Sequence, residues 1–171
     1  MKKRNIIFLT FLAVLIIGFL IPQELKMPVK GATASDYNSK SFWFYPWGKS
    51  VTHKGIDIFA KKGTKITAAT SGIVLYSGTI RMGGNIVVIL GPKWRLHYYA
   101  HLNELNSNAH AIVSKNTTIG SVGTSGNASG KSPHLHYAIV SLIPYVWRID
   151  SERQGWRKMF YLNPIAFLKE Q

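Results

Sequence analysis

Six short runs of β-branched and aromatic residues, separated by glycine-containing turns, constrain the fold of this chain more than any other feature. They are KITAAT (65–70), GIVLYSG (72–78), NIVVILG (85–91), RLHYYAHL (95–102), TIGSVG (118–123) and HLHYAIV (134–140). Such residues favour strands, and no long stretch among them has a helical period. The sequence therefore predicts an all-β domain over residues 41–171, a compact antiparallel sheet or sandwich. One short helix is expected at Pro164, after an Asn163 cap.

The first 22 residues differ in kind from this domain. Basic residues at positions 2–4 precede an apolar run from Ile6 to Ile21. As a helix rising about 1.5 Å per residue, the run would span roughly 24 Å, against a hydrocarbon core of about 30 Å. No small-residue cleavage site follows directly, so we interpret residues 1–22 as a retained hydrophobic anchor helix, with a cleaved signal peptide as the alternative. The positive charges stay inside, which places everything after Pro22 outside the cytoplasmic membrane.

Residues 23–40 are polar and rich in turn-forming residues, and they end in ATASDYNSK (32–40). This composition predicts a flexible spacer that lifts the domain off the membrane. The predicted organisation is therefore a signal anchor or signal peptide over 1–22, a spacer over 23–40 and a folded domain over 41–171.

The exported part of the chain is strongly basic. The formal net charge is +14, and without the three basic residues of the leader 18 Lys plus Arg remain against 7 Asp plus Glu, or +11. We expect an anionic partner, which outside the membrane means cell-wall polymer or lipid headgroups rather than nucleic acid; added solubility is the alternative. The chain has no cysteine. The fold therefore needs no disulfide, and a metal site would have to use His, Asp or Glu.

Two pairs of potential metal ligands lie on predicted strands. His134 and His136 are two residues apart in HLHYAIV, so both side chains point to one face of a strand. His53 and Asp57 are four residues apart in THKGIDIFA (52–60) and share a strand face in the same way. Imidazole nitrogens and a carboxylate oxygen suit zinc, and three protein ligands with one open position are typical of a catalytic site.

This group holds more histidine than a three-ligand site needs. His101, at the end of another predicted strand, could reach the same cavity. Spacing alone does not decide whether His101 and His134 serve the site or are ordinary histidines. His97 and His110 are expected to be surface or hydrogen-bonded core residues.

The order of these residues resembles the lysostaphin-type, or LytM-type, zinc peptidases that cut peptidoglycan cross-bridges. The matching motifs are His-x-x-x-Asp at His53 and Asp57, YAHL around His101, and His-x-His at His134 and His136. The similarity runs from about Phe44 to Tyr137, and NPIAFL (163–168) resembles the closing segment of the family.

The resemblance implies one Zn²⁺ per chain, bound by His53, Asp57 and His136, with His101 and His134 as catalytic residues that do not bind the metal. It also implies a groove across a compact antiparallel β domain of the duplicated hybrid motif type, and a zinc endopeptidase of peptidoglycan cross-links in the cell envelope. The chain lacks a His-Glu-x-x-His motif, so the two histidines are assigned to proton handling and oxyanion stabilisation. Relatives that have lost zinc ligands act as non-catalytic activators of other wall hydrolases, an alternative that the complete ligand set disfavours.

Three further segments are expected near the groove. SFWFYPWGK (41–49) either borders the groove or closes the core. The aromatic and basic stretch over 141–161 either forms a groove wall that meets sugar rings, anionic wall polymer or lipid headgroups, or packs its aromatics under a long loop with its charges solvated. The glycine-rich GTSGNASGKS (123–132) is interpreted as a flexible rim loop beside the histidine strand.

Overall fold

Strands make up most of the regular structure after residue 24 in the computed structural model, which describes residues 2–169. Helix α1 covers Lys3–Leu20. The strands are β1 (Leu25–Lys26), β2 (Ile56–Phe59), β3 (Lys65–Thr67), β4 (Gly72–Ile80), β5 (Gly84–Gly91), β6 (Arg95–Leu105), β7 (Ile112–Val113), β8 (Thr118–Val122), β9 (His134–Ser141), β10 (Tyr161–Leu162) and β11 (Leu168–Lys169). Short 3-10 helices occupy Ala34–Asp36, Gly48–Ser50, Pro92–Trp94, Gly126–Ala128, Val146–Arg148, Gly155–Met159 and Pro164–Ala166.

A nine-stranded antiparallel sheet forms the body of the domain, in the order β10-β9-β6-β5-β4-β7, with β2 added to β9 and β3 joined through β8 to β6. The 11-residue β6 lies at its centre and pairs with β5, β8 and β9. Its register shifts against β5 and β8 around Leu102, and such irregularities bend a strand. The predicted all-β antiparallel fold is confirmed.

Side chains that alternate along β6 and β9 separate the core from the groove. Tyr99 on β6 and Leu135, Tyr137 and Ile139 on β9 are fully buried in the hydrophobic core. The two histidines of β9 alternate with these residues and therefore project from the opposite face of the strand. The apolar pattern of HLHYAIV thus fixes which side of the sheet receives the imidazoles.

The segment expected to be a flexible spacer enters this core. Leu25, Met27 and Val29 are buried, with at most 2% of each residue exposed, and Leu25 pairs with Leu168 in a parallel two-stranded sheet. The prediction for residues 23–40 is therefore wrong in its first part. Apolar residues at every second position give residues 25–29 one buried face, a strand pattern that the surrounding polar residues concealed.

The short helix predicted at Pro164, after an Asn163 cap, is present in reduced form. The Asn163 side chain accepts a hydrogen bond from the Ile165 amide and caps the 3-10 helix Pro164–Ala166. The cap is where the sequence predicts it, but the helix is a single turn. The chain then extends into β11 because that strand pairs with β1.

Helix α1 is long and apolar enough to cross a membrane, judged by length and composition. Its final turns contact the Pro92–Trp94 turn of the domain. Trp94 Nε1 donates to the Leu15 carbonyl and Lys93 Nζ to the Phe19 carbonyl, both at 2.9 Å. A Cβ at Gly18 would lie 2.4 Å from the Trp94 ring, so only glycine allows this approach of helix and domain.

Replacing Leu25 with Ala tests whether residues 25–29 belong to the domain. Removing a buried Leu side chain leaves a cavity, so we expect the free energy of unfolding to fall by about 2–5 kcal/mol. The exposed Lys30→Ala change in the same segment is the control and should have little effect. Equal denaturant midpoints for Leu25→Ala and the native chain would show that this segment is a spacer after all.

A polar chain links β6 to β9 and to the segment before β1 through the buried His97. His97 Nδ1 lies 2.7 Å from Tyr137 Oη, and its Nε2 lies 3.0 Å from Gln23 Nε2. Burial, together with the nearby Arg95 charge, lowers the pKa of His97 from 6.5 to about 3. His97 is therefore a hydrogen-bonded, neutral core residue, one of the two environments expected for it.

This lowered pKa predicts a specific loss of stability in acid. Between pH 6.5 and pH 3 the unfolded chain binds a proton at His97 that the folded chain does not, so stability falls as the pH drops, by up to about 1.4 kcal/mol per pH unit. We expect the unfolding free energy of His97→Gln to decline less steeply than that of the native chain between pH 6.5 and pH 4. Parallel pH profiles for the two proteins would contradict this role of His97.

Candidate metal centre and active-site groove

Antiparallel pairing of β2 with β9 brings the predicted ligands together. Asp57 lies directly opposite His136 in the register of the two strands. The same ladder places Phe59 opposite His134, so the one-face alternation of each strand puts the carboxylate and both β9 imidazoles on the groove side. His53 precedes β2 and turns its ring towards the same point.

Three ligand-type atoms converge there. His53 Nε2 lies 3.1 Å from Asp57 Oδ1 and 3.1 Å from His136 Nδ1, and His136 Nδ1 lies 2.8 Å from the same Asp57 oxygen. Within residues 2–169 these three form a group with the spacing to hold a metal ion. Each residue offers a single atom, and two imidazoles with one carboxylate match the ligand preference of zinc.

Backbone contacts fix the His53 ring in this geometry. Its Nδ1 donates to the Ser41 carbonyl at 3.0 Å, which leaves the Nε2 lone pair directed at the site. The ring is 1% exposed and stacks on Trp47 with centroids 4.0 Å apart. A buried, oriented imidazole of this kind is well suited to metal binding.

The charge state of Asp57 also suits a ligand. Burial by itself raises the pKa of the Asp57 carboxyl, but the close contacts with His136 and His53 outweigh burial and hold the pKa well below its usual range. The carboxylate is therefore ionised across the physiological pH range. A partly buried anion between two imidazoles is where a divalent cation would be most stabilised.

His101 and His134 lie beside this group without sharing its close contacts. Their ring centroids are 5.1 Å apart, and His134 Nε2 lies 4.0 Å from Asp57 Oδ2, the oxygen that does not contact His53 or His136. His101 reaches the groove because it adopts a left-handed backbone conformation, φ 67°, at the irregular position of β6. The structure thus brings all five predicted site residues into one groove.

Each of these two rings is anchored through one nitrogen. His101 Nδ1 donates to the Ser125 carbonyl at 2.9 Å, and His134 Nδ1 donates to the Ser132 carbonyl at 2.8 Å. The Nε2 atoms therefore keep their lone pairs and face the groove. Burial, with a smaller effect of the neighbouring His136, lowers the pKa of His101 to about 4.

The glycine-rich rim loop is tied down rather than loose. Ser125 Oγ donates to the Leu102 carbonyl at 2.8 Å and accepts from the Asn85 amide at 2.9 Å. Gly126, at φ +67°, packs on Gly84 so closely that a Cβ would lie 2.3 Å from the Gly84 nitrogen. The loop therefore serves as the support that orients His101.

The two aromatic segments divide between core and groove. Trp43 is buried, whereas Trp47 lines the groove next to His53. In the later segment Gln154 and Arg157 line a cavity that also includes His53 and His136. Trp147 is 76% exposed and belongs to neither the core nor this cavity. The first segment therefore contributes to both the core and the groove, whereas the later segment reaches the groove through Gln154 and Arg157 and leaves Trp147 exposed.

Sequence reasoning missed the groups that orient the imidazoles. They are the main-chain carbonyls of Ser41, Ser125 and Ser132. Any residue type supplies a carbonyl, so the sequence carries no signal for these contacts. The sequence also did not predict the stacking of Trp47 on His53, although it shows an aromatic-rich segment just before His53.

Gly55→Ala tests how strongly the site depends on the close fit of β2 against β9. A Cβ at Gly55 would lie 2.5 Å from the Tyr137 carbonyl oxygen and 2.9 Å from the His136 ring. Because backbone must shift to accept it, we expect a loss of about 1–3 kcal/mol in unfolding free energy, measured by chemical denaturation. An unchanged free energy of unfolding would show that the two strands accommodate the added methyl group at this point without cost.

Comparisons with known proteins agree with this geometry. The family model described as "Peptidase family M23" matches residues 51–146, a range that contains all five site residues. The chain is 36% identical over 114 residues to the L-Ala–D-Glu endopeptidase of Bacillus subtilis, covering 61% of this chain and 35% of that protein. It is 33% identical over 88 residues to the murein hydrolase activator NlpD of Salmonella dublin, covering 51% of this chain and 22% of that protein.

A solved structure supports the fold. The catalytic domain of the antimicrobial peptidase lysostaphin from Staphylococcus simulans aligns with a TM-score of 0.62 and 24% identity, covering 80% of this chain and 97% of that one. The chain spans about a third or less of the length of the curated relatives described above. Because the family model matches more than half of the chain and contains all five site residues, this protein belongs to peptidase family M23.

Proposed function

We propose that this protein is a zinc-dependent endopeptidase that hydrolyses peptide cross-links in bacterial peptidoglycan. The observation that carries the proposal is the convergence of His53 Nε2, Asp57 Oδ1 and His136 Nδ1 within 3.1 Å of one another, beside two anchored imidazoles outside that group. The endopeptidase names of relatives in the same family support the reaction class.

His53, Asp57 and His136 would hold one Zn²⁺. When bound, the ion supplies a water of lowered pKa and polarises the scissile carbonyl. The protein contributes three preset ligand atoms, since the Ser41 carbonyl fixes the tautomer of His53 and the β2–β9 ladder fixes Asp57 against His136.

His101 and His134 are proposed as the groups that hold and move protons in the groove. Each donates Nδ1–H to a main-chain carbonyl and presents Nε2 towards the site. The lowered pKa of His101 keeps its Nε2 unprotonated near neutral pH, so it can accept a proton from the attacking water. When its Nε2 carries a proton, either ring can donate a hydrogen bond to the tetrahedral oxyanion and stabilise it.

A regulatory role is the second candidate function, and the similarity to a murein hydrolase activator is the observation that favours it. Such a role needs no metal ligands and no proton-transfer groups. The presence of all five residues in hydrogen-bonded, partly buried positions favours the hydrolase.

The cellular setting is also a proposal. An apolar helix at the N-terminus, with basic residues before it, supports an envelope protein held at the outer face of the cytoplasmic membrane by α1. The excess of Lys and Arg suits anionic wall polymer or lipid headgroups, and no nucleic-acid partner is proposed.

The division of labour among the histidines gives a paired prediction. His53→Ala should lose both zinc and activity, because it removes a ligand; His101→Ala and His134→Ala should keep one zinc per chain while turnover falls by at least 100-fold. Zinc is measured by elemental analysis, and turnover by mass spectrometry of muropeptides released from purified peptidoglycan.

Distinct outcomes would contradict distinct parts of this account. Loss of zinc from His101→Ala or His134→Ala would show that those residues bind the metal. A native chain that holds zinc but releases no new peptide ends would favour the activator role over the peptidase.

A further inference from the structure

A polar cavity of about 390 Å³ opens beside the metal-ligand group. Two of the proposed ligands, His53 and His136, form part of its wall, and Lys49, Lys54, Gln154 and Arg157 form another part. Its position makes it continuous with the point where a scissile bond would be cleaved. A peptide group next to that bond could therefore enter it.

The charge of this cavity is one-sided. Its lining, drawn from residues 2–169, includes three cationic side chains and no Asp or Glu. Asp57 lies behind the cavity wall, against His53 and His136. The acidic residues that precede Gln154 and Arg157 in the chain, Asp150 and Glu152, both form ion pairs with Lys158. The cations of the cavity are therefore not neutralised by that pair of acids, and such a cleft attracts anions.

Hydrogen-bond donors in the cavity remain available. Lys54 Nζ donates to the Ser50 and Thr52 carbonyls at 2.7 and 3.2 Å, which uses two of its three N–H groups. Gln154 accepts from Thr52 Oγ1 through its side-chain oxygen at 3.0 Å, so its amide N–H groups are left for a ligand.

Arg157 is the most suitable anion-binding group in the cavity. It is half-buried, and its guanidinium lies 5.0 Å from the centre of the Trp156 ring. Stacking on an aromatic face leaves the planar edge of the guanidinium free. That edge matches the two oxygens of a carboxylate.

We propose that Lys54, Gln154 and Arg157 form a subsite for a free carboxylate on the residue next to the scissile bond. The inference rests on the proposed peptidase function and adds its substrate class: cross-link peptides with an ionised carboxylate beside the cleaved bond, in preference to the same peptides with a carboxamide there. A carboxamide has one oxygen and no charge, so it loses the bidentate, charge-assisted contact with Arg157.

The test compares two soluble cross-linked peptides that differ only in this group, one with free carboxylates and one with carboxamides. With the full-length, zinc-loaded chain in detergent, kcat/KM should be at least tenfold higher for the acid peptide. Arg157→Gln should reduce the preference to about twofold or less by raising KM, with zinc content unchanged. Arg153→Gln is the matched control: it removes the same charge from an exposed position in the same segment, outside the cavity, and should keep the preference.

A binding measurement separates failure of the subsite from failure of the peptidase. Calorimetry with zinc-loaded His134→Ala should show at least tenfold tighter binding of the acid peptide. Equal kcat/KM values and equal affinities for the two peptides would overturn the subsite, as would an Arg157→Gln chain that keeps the preference. Tighter binding of the acid peptide by a native chain that cleaves neither peptide would support the subsite and contradict the peptidase.

Discussion

The pairing of β2 with β9 is the constraint on which the rest of the groove depends. It sets Asp57 opposite His136, and the period of two along each strand directs Asp57, His134 and His136 to the same side. A slip of one residue in this register would send the imidazoles into the core and Leu135 and Tyr137 into the groove. Their complete burial makes such a slip costly, so the hydrophobic core also enforces the geometry of the site.

Main-chain carbonyls then divide the histidines into two groups. His53 is anchored by Ser41 and completes the three-atom cluster, whereas His101 and His134 are anchored by the loop that carries Ser125 and Ser132. In all three rings Nδ1 is hydrogen-bonded to a main-chain carbonyl, and Nε2 faces the groove. In the proposed mechanism, position relative to Asp57, rather than the chemistry of the side chain, would separate a metal ligand from a proton-transfer group. That position follows from the strand or loop that holds each ring.

Much of this arrangement could be predicted from sequence because it depends on residue patterns over short stretches of the chain. Glycine-separated β runs predicted the fold, and one-face spacing within THKGIDIFA and HLHYAIV predicted the pairs. The convergence of the pairs depends on long-range register, which spacing does not specify; there the family resemblance supplied the expectation. Residues 25–29 were misjudged because four buried residues in a polar segment are a weak signal until β11 and the core are in place. The anchoring carbonyls and the contact of Trp94 with Gly18 leave no distinctive residue pattern.

We propose that one zinc ion is bound by two imidazoles and one carboxylate, with His101 and His134 outside its coordination. X-ray absorption spectroscopy of the zinc-loaded native chain tests it most directly, because imidazole ligands give a distinct scattering signature that can be counted. We expect two imidazoles and two oxygen ligands, one from Asp57 and one from water, at about 2.0–2.2 Å. A coordination sphere with three or four imidazoles would contradict it, since His101 or His134 would then be a ligand rather than a group that acts on substrate.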